Sequence, residues 1–461
     1  MADFDLLVIG SGPAGEKGAA QAAYFGKRVA LVEQAAEPGG GAVHTGTLPS
    51  KTLREASLYL SGHRQRELYG VSLHVDPTRA APDLLSRKEA VRALEVARVR
   101  ANLERHHVTL LAGHARFIDP YTVVVESPDG SQRITSDYFL IATGSAPYRP
   151  DGIDFADPGI HDSDTILRLQ RIPPSLTVLG GGVIGCEYAT MLAALGVRVR
   201  LVEGRTPLLA FLDAEISEQL RVAMVRLGVE LHLGVRYRTV RRVPGRGIVT
   251  ELEDGAEVAS DELLFTAGRS GVTRDLGLET AGVALGKRDH IQVDGRFRTN
   301  VPHIYAAGDC IGFPALASSS MEQGRVAVCH AFGFAYKQQV SALVPYGIYT
   351  VPEVSCVGDA EADAIARGVR PVIGRAFYRD NVRGKIIGDR DGLVKLVFDH
   401  DTRRLIGCHC IGEQATELVH LGETLILLGG TVQTLIEMVF NYPTLTELYK
   451  YAAYDALGRW A

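Results

Sequence analysis

Thiol and metal chemistry have little to work with in this 461-residue chain. Its six cysteines include no Cys-x-x-Cys spacing, and only Cys408 and Cys410 stand close together. Residues two apart on a strand share a face but place their sulfurs poorly for a mutual disulfide. The thiols therefore read as small buried apolar groups, and nothing near them completes a tetrahedral zinc set. No metal is expected. Long basic runs are also missing and the formal net charge is only −5, so nucleic acid is not an expected partner. No apolar segment approaches the roughly 20 residues that span a bilayer. Residues 1–10 enter a strand without a basic leader or cleavage site, so a cytoplasmic location is expected. Aromatic residues are few and glycine is abundant, a composition normal for an α/β protein of two to four domains at this length.

What the chain does have is a repeated device. An apolar run over residues 4–10 leads into Gly10-Ser11-Gly12-Pro13-Ala14-Gly15, an alanine-rich helix ending near Gly26, a second apolar run, and Glu33. This is the strand, glycine turn, helix, strand and acid of a dinucleotide site. The first glycine makes the turn, the second admits a pyrophosphate, and the third lets helix pack on strand. The helix N-terminus faces the phosphates, and Glu33 accepts ribose hydroxyls. The same order recurs from Leu176 through Gly180-Gly181-Gly182-Val183-Ile184-Gly185 to Glu203. Both units place the acid 23 positions after the first glycine. Two such units imply two dinucleotides.

The remaining segments organise around them. Residues 81–106 carry helical periodicity, and Ser127-Pro128-Asp129-Gly130 reads as a turn between strands. From Gly347 the character changes. Residues 393–398 and 404–407, joined by a turn at 399–402, read as an antiparallel hairpin, with helices at about 413–428 and 431–439. A last helix is expected to open at Asn441-Tyr442-Pro443.

The stretch Gly39-Gly40-Gly41-Ala42-Val43-His44-Thr45-Gly46-Thr47-Leu48-Pro49-Ser50-Lys51 resembles the active-site segment of the flavin-dependent pyridine nucleotide–disulfide oxidoreductases. Three glycines admit a flat ligand, and Pro49 presets a helical turn. The resemblance covers essentially the whole chain. It implies two Rossmann-like dinucleotide-binding domains plus an α+β antiparallel-sheet dimerisation domain. The expected partition is a discontinuous FAD-binding domain at 1–148 and 274–345, an NAD(P)-binding domain at 149–273 and an interface domain at 346–461. FAD is expected at Gly10, Gly12, Pro13, Ala14, Gly15, Glu33, Gly41, Thr47, Lys51, Thr143, Gly144, Asp309 and Ala317. Asp309 is expected to take a hydrogen bond from the ribityl chain, beside a helix from about Ser318 aimed at the ring. NAD is expected at Gly180, Gly182, Val183, Ile184, Glu187, Glu203, Arg205 and Gly268. Lys51 and Glu187 would pair beside the flavin edge.

Two departures from the family pattern decide the expected chemistry. Ala42 and Thr47 occupy the positions of the redox cysteines, and neither forms a disulfide or a thiolate. Tyr442 stands where the thiol-reducing members carry the acid–base histidine, five residues before Glu447. A phenol with a pKa near 10 is a poor proton shuttle at neutral pH. Reduction of lipoamide, glutathione or mercuric ion is therefore not expected, and Lys51, Glu187, Tyr442 and Glu447 are the expected catalytic residues. Among thiol-free members the chain is similar to the soluble pyridine nucleotide transhydrogenases. That similarity rests on Gly39-Gly40-Gly41, His44, Gly46-Thr47, Ile160-His161-Asp162-Ser163-Asp164, Leu208-Leu209-Ala210-Phe211-Leu212-Asp213 and Phe440-Asn441-Tyr442-Pro443-Thr444. It implies ping-pong hydride transfer through FAD in a homodimer. An NADH oxidase, diaphorase or quinone reductase, and a low-turnover redox sensor, fit the same residues. Glu203 favours the 2′-hydroxyl of NAD over the 2′-phosphate of NADP. NADH is the expected donor and NADPH a poorer one, with Arg198, Arg200 and Arg205 near enough in sequence to answer the phosphate.

Overall fold

The computed structural model describes residues 1–62 and 77–460. The chain divides into two compact units, Met1–Thr52, Leu85–Tyr148 and Gly268–Ser341 in one, Leu53–Leu84, Arg149–Ala267 and Ala342–Ala461 in the other.

The first unit opens with β1 (Phe4–Ile9), α1 (Pro13–Tyr24) and β2 (Val29–Glu33). β1 and β2 are parallel, with Leu6 opposite Val29 and Ile9 opposite Val32. A parallel pair needs a crossover, and α1 supplies it. Then come α2 (Gly40–His44), α3 (Thr47–Ser61) and α4 (Pro77–Arg105), followed by β3 (Thr109–Ala112), β4 (His114–Asp119), β5 (Thr122–Ser127) and β6 (Gly130–Ile141). β6 serves two sheets. Its first half pairs antiparallel with β5, and its second half lies parallel to β1. The short strand Ile304–Ala306 closes the far side of β6, also parallel. Leu7, Val8, Leu31, Phe139 and Ile141 are wholly buried: Val8 and Leu31 cluster with residues of α1 and α4, and Leu7, Phe139 and Ile141 with Phe117, Val123 and Val125 of β4 and β5. Each large side chain so placed contributes about 1.5–3 kcal/mol.

The second unit repeats the pattern with Ser175–Leu179, α5 (Val183–Ala194), Arg198–Glu203, α6 (Ala214–Arg226) and Glu230–Leu233. Its five-stranded parallel sheet carries Glu262–Phe265 and Ile160–His161 on the other side. A three-stranded antiparallel meander over residues 237–260 is inserted before that strand. In the same unit a five-stranded antiparallel sheet follows, with the hairpin Leu393–Asp399 and Leu405–Ile411 at its heart. In the first unit α7 (Ala317–Phe332) packs so closely on α1 that a Cβ at Gly324 would lie 2.2 Å from the Ala14 carbonyl oxygen.

A buried ion cluster ties the second unit's nucleotide module to its antiparallel sheet. Lys395 lies on the hairpin, and its Nζ reaches Asp213 Oδ1 at 2.9 Å, Glu361 Oε2 at 2.9 Å and Glu215 Oε2 at 3.2 Å. Asp213 also caps α6 by accepting the Glu215 N–H. Arg375 adds a second cation on Glu215.

The chain's last helix differs from the sequence expectation. It spans Leu448–Leu457, with Glu447 at its N-cap, and does not open at Asn441. Pro443 drives the residue before it out of the helical region, and the Thr444 hydroxyl donates back to the Asn441 carbonyl at 2.8 Å. Residues 441–447 are therefore a turn ahead of the helix. Among the described residues no helix is long and apolar enough to cross a membrane.

Candidate functional site

In the first unit the glycine turn closes under steric compulsion. Gly10 sits at φ +100°, and a Cβ there would fall 2.5 Å from the Ala142 carbonyl oxygen. A Cβ on Gly15 would meet the Gly10 carbonyl oxygen at 1.9 Å. Gly12 instead has only the Gly40 Cα within reach, at 3.9 Å, so the mouth of the turn stays open where Pro13 and Ala14 begin α1. Glu33 ends β2 with its carboxylate fixed. It accepts the Ser11 N–H at 3.0 Å, the Ser11 hydroxyl and the Ala35 N–H at 2.8 Å.

The central glycine stretch packs directly against this turn. Gly39 donates its N–H to Ser11 Oγ at 2.8 Å. Gly40, at φ +59°, would place a Cβ 2.6 Å from the Gly12 Cα. Gly41 and Ala42 lie in α2, Thr47 begins α3, and Lys51 is half-buried one turn further. A short helix at Gly40–His44 is not legible in three consecutive glycines; the His44 ring, 3.1 Å from the Glu37 carbonyl oxygen, fastens it.

Three distant segments of the same unit meet beside α1. Ser145 donates to Asp309 Oδ2 at 2.9 Å and receives Arg269 Nε at 2.8 Å. Gly308 donates its N–H to Gln323 of α7 at 2.8 Å, and a Cβ there would sit 3.1 Å from the Ala14 side chain. Ala317 opens α7, whose N-terminus no side chain caps. Thr143 Oγ1 is buried without a hydrogen-bond partner among the described residues, and Gly144, at φ +74°, faces open space. An orphan hydroxyl, an open glycine turn, a fixed ribose acid and an uncapped helix end together fit FAD. Gly268 also lies in this unit, with the Arg288 guanidinium against it.

In the second unit the same positions recur. A Cβ on Gly185 would lie 1.9 Å from the Gly180 carbonyl oxygen, while Gly182 has nothing within 4 Å. Val183 and Ile184 start α5, and Glu187 is buried on its second turn, accepting the Tyr349 N–H at 2.9 Å. Glu203 accepts the Gly181 N–H at 2.7 Å on one oxygen. On the other it accepts the Arg205 N–H at 2.9 Å and Arg205 Nε at 3.0 Å. Burial would raise the Glu203 pKa, but Arg205 and the backbone donors hold it below the usual carboxylate range. These residues fit the adenosine end of a nicotinamide nucleotide. Of the other arginines named from the sequence, Arg200 is engaged by Glu230 and the Ala259 carbonyl.

Lys51 and Glu187 belong to different units. Tyr442 is exposed, and Glu447 takes Asn381 Nδ2 and the Tyr451 hydroxyl, each at 3.4 Å. All six cysteines are reduced and buried, with the Cys408 and Cys410 sulfurs 3.8 Å apart. Burial pushes the Cys186 and Cys310 thiols up to about 12. Among the described residues no group of His, Cys, Asp or Glu forms a metal set.

Residues 4–324 match the pyridine nucleotide-disulphide oxidoreductase family, and residues 344–453 match its dimerisation domain. A soluble pyridine nucleotide transhydrogenase of Mycobacterium tuberculosis is 46% identical over all of this chain and 98% of its own length. One from Pseudomonas putida is 39% identical, covering 99% of each. Two solved structures align closely. The HOCl-induced flavoprotein disulfide reductase RclA from Escherichia coli has a TM-score of 0.87 at 27% identity, covering 97% of this chain and 98% of its own. LpdA from Mycobacterium tuberculosis has a TM-score of 0.87 at 29% identity, covering 97% and 99%. The chain belongs to the pyridine nucleotide–disulphide oxidoreductase family.

Proposed function

We propose that this protein is an FAD-dependent enzyme that transfers hydride between nicotinamide nucleotides without a redox disulfide, as its transhydrogenase-named relatives suggest. The observation that carries this reading is a pair of whole dinucleotide modules combined with Ala42 and Thr47 at the sulfur positions. Bound FAD supplies the two-electron ring between donor and acceptor. Glu33 and the α1 N-terminus hold its adenosine and pyrophosphate, and Asp309, oriented by Ser145, takes its ribityl hydroxyl. Lys51, one turn into the helix that follows the glycine stretch, would favour negative charge at the flavin edge. The nucleotide site at 149–273 takes NADH first, because Glu203 matches a 2′-hydroxyl. The 346–461 domain pairs two copies and presents Tyr442 and Glu447 to the neighbouring site. The flavin domain comprises 1–148 and 274–345, and the protein works in the cytoplasm.

Anaerobic stopped-flow tests this. NADH should bleach the flavin, and thio-NAD or NADP should restore its colour rapidly. Recovery only with oxygen or a quinone would make the protein an oxidase or diaphorase. No bleaching by NADH or NADPH would leave a redox sensor.

A further inference from the structure

The short segment Tyr349-Thr350-Val351 divides its backbone groups between two helices. The Tyr349 N–H donates to Glu187 Oε1 at 2.9 Å and the Val351 N–H to Thr190 Oγ1 at 3.1 Å, both on α5. The Thr350 carbonyl between them instead accepts Arg54 Nε of α3 at 3.0 Å. All of these residues belong to the second unit, which takes in α3 from Leu53 onward. We infer that Arg54 and Thr190 are positioning residues for Glu187, acting through this segment to fix the direction of its carboxylate. The inference rests on the proposed hydride chemistry and deepens it, because neither residue belongs to the expected site.

The first support is a matched spacing. Glu187 and Thr190 stand three positions apart and share one face of α5. They meet two N–H groups that are themselves two residues apart, so a slip of helix against segment would break both bonds together. Thr190 is wholly buried, and its hydroxyl proton goes to the Cys186 carbonyl at 2.9 Å, which leaves a lone pair for Val351. Glu187 is buried as well, and the direction of a buried charge is set by the donors around it.

The second support is Arg54, which sequence reading missed because the carbonyl it holds is 296 residues away. It is only 4% exposed, and a buried guanidinium needs partners. Its Nη1 meets Glu353 at 3.1 Å and also Glu55. Glu353 is buried in turn and accepts the Thr416 hydroxyl at 2.9 Å. Ion pairing alone would be complete at Nη1. Nε is directed to a neutral carbonyl in the middle of the segment that holds Glu187. The rigid fork of a guanidinium can serve a carboxylate and a carbonyl at once, and the point charge of a lysine serves them less well.

The test is a double-mutant cycle on the full-length flavoprotein. Arg54→Met should slow flavin bleaching by NADH about tenfold or more, and Thr190→Val about threefold, since small misplacements of a catalytic group are costly. The dissociation constant of NADH should change less than about twofold. With Glu187→Gln already present, either substitution should slow bleaching less than about twofold, because the group being positioned is gone. Arg54→Lys, which keeps the charge, should fall between wild type and Arg54→Met. Should Arg54→Met fail to fold, Thr190→Val carries the cycle alone. Amide hydrogen exchange gives a readout without turnover: peptides covering residues 349–351 should exchange faster in both variants while the rest of the second unit keeps its protection. Slowing by the same factor with and without Glu187, bleaching at the wild-type rate, or unchanged exchange at 349–351 would overturn the inference. A wild-type protein that NADH does not bleach, or that thio-NAD does not recolour, counts against the proposed function, and the exchange comparison still decides this one.

Discussion

The two dinucleotide modules of this chain are offset copies, and their differences say more than their likeness. At equivalent places Ser11 and Gly181 donate N–H groups to Glu33 and Glu203, and Ala35 and Arg205 donate theirs to the opposite oxygen. Around that shared frame the first module is more heavily braced. Ser11 adds its hydroxyl to the acid and receives Gly39, Gly40 rests on Gly12, and α7 presses on α1. The second module has no side chain at position 181, because a Cβ there would strike the Glu203 stem at 2.9 Å and Leu208 at 2.8 Å. Where the first module has the methyl of Ala35, the second has a guanidinium. One module is braced by the rest of its own unit, and the other carries an exposed cation beside its acid.

The largest way to break the comparison is to remove what anchors the second module. Lys395→Met leaves Asp213, Glu215 and Glu361 facing one another in a buried cluster. A loss of about 3–5 kcal/mol is expected, read as a lowered Tm for the second unit while the flavin absorbance persists at low temperature. Next come the paired turns. Gly15→Ala and Gly185→Ala each force a methyl into a backbone carbonyl, at a cost of about 1–3 kcal/mol or more. The first variant should purify colourless; the second should be yellow but fail to bleach with NADH.

A finer contrast lies one residue past each turn. Glu16 is buried and held by Arg98, Lys17 and Asn102, whereas the equivalent position in the second module is Cys186. Burial would raise the Glu16 pKa, but Arg98 and Lys17 bring it below the ordinary glutamate range. Its folded pKa is therefore depressed, so its contribution is fully present above about pH 4.3 and is lost as pH falls through the lower folded value. Flavin release on acidification should begin in that window, and Glu16→Gln should flatten the dependence. The smallest effect is reserved for the thiols. Alkylation of the native protein should leave the rate of flavin bleaching by NADH unchanged, since all six sulfurs are buried.

Local patterns carried much of this arrangement. Glycine spacing, the acids 23 positions later and the hairpin around residues 399–402 all appear in the structure because each is set by a few neighbouring residues. Contacts that depend on the fold were not legible. Nothing local links Gly308 to Ala14, or Arg236 to Gly204, since each pairing exists only after a sheet has formed. Lys395 would pass for a solvated residue on a strand, yet the fold surrounds it with carboxylates from two other segments. The final helix starts later than its sequence suggests because Pro443 interrupts a stretch that otherwise reads as continuous.

The methyl of Ala42 and the hydroxyl of Thr47 have a consequence outside nucleotide chemistry. Peroxides act on proteins chiefly through exposed thiolates, converting them to sulfenic and then to irreversible higher acids. The glycine-rich centre offers them no such target, and the sulfurs elsewhere are shielded, with Cys186, Cys310 and Cys356 pushed by burial up to about 12. Peroxide should therefore leave the six sulfurs of this chain unmodified where an exposed thiolate would be consumed.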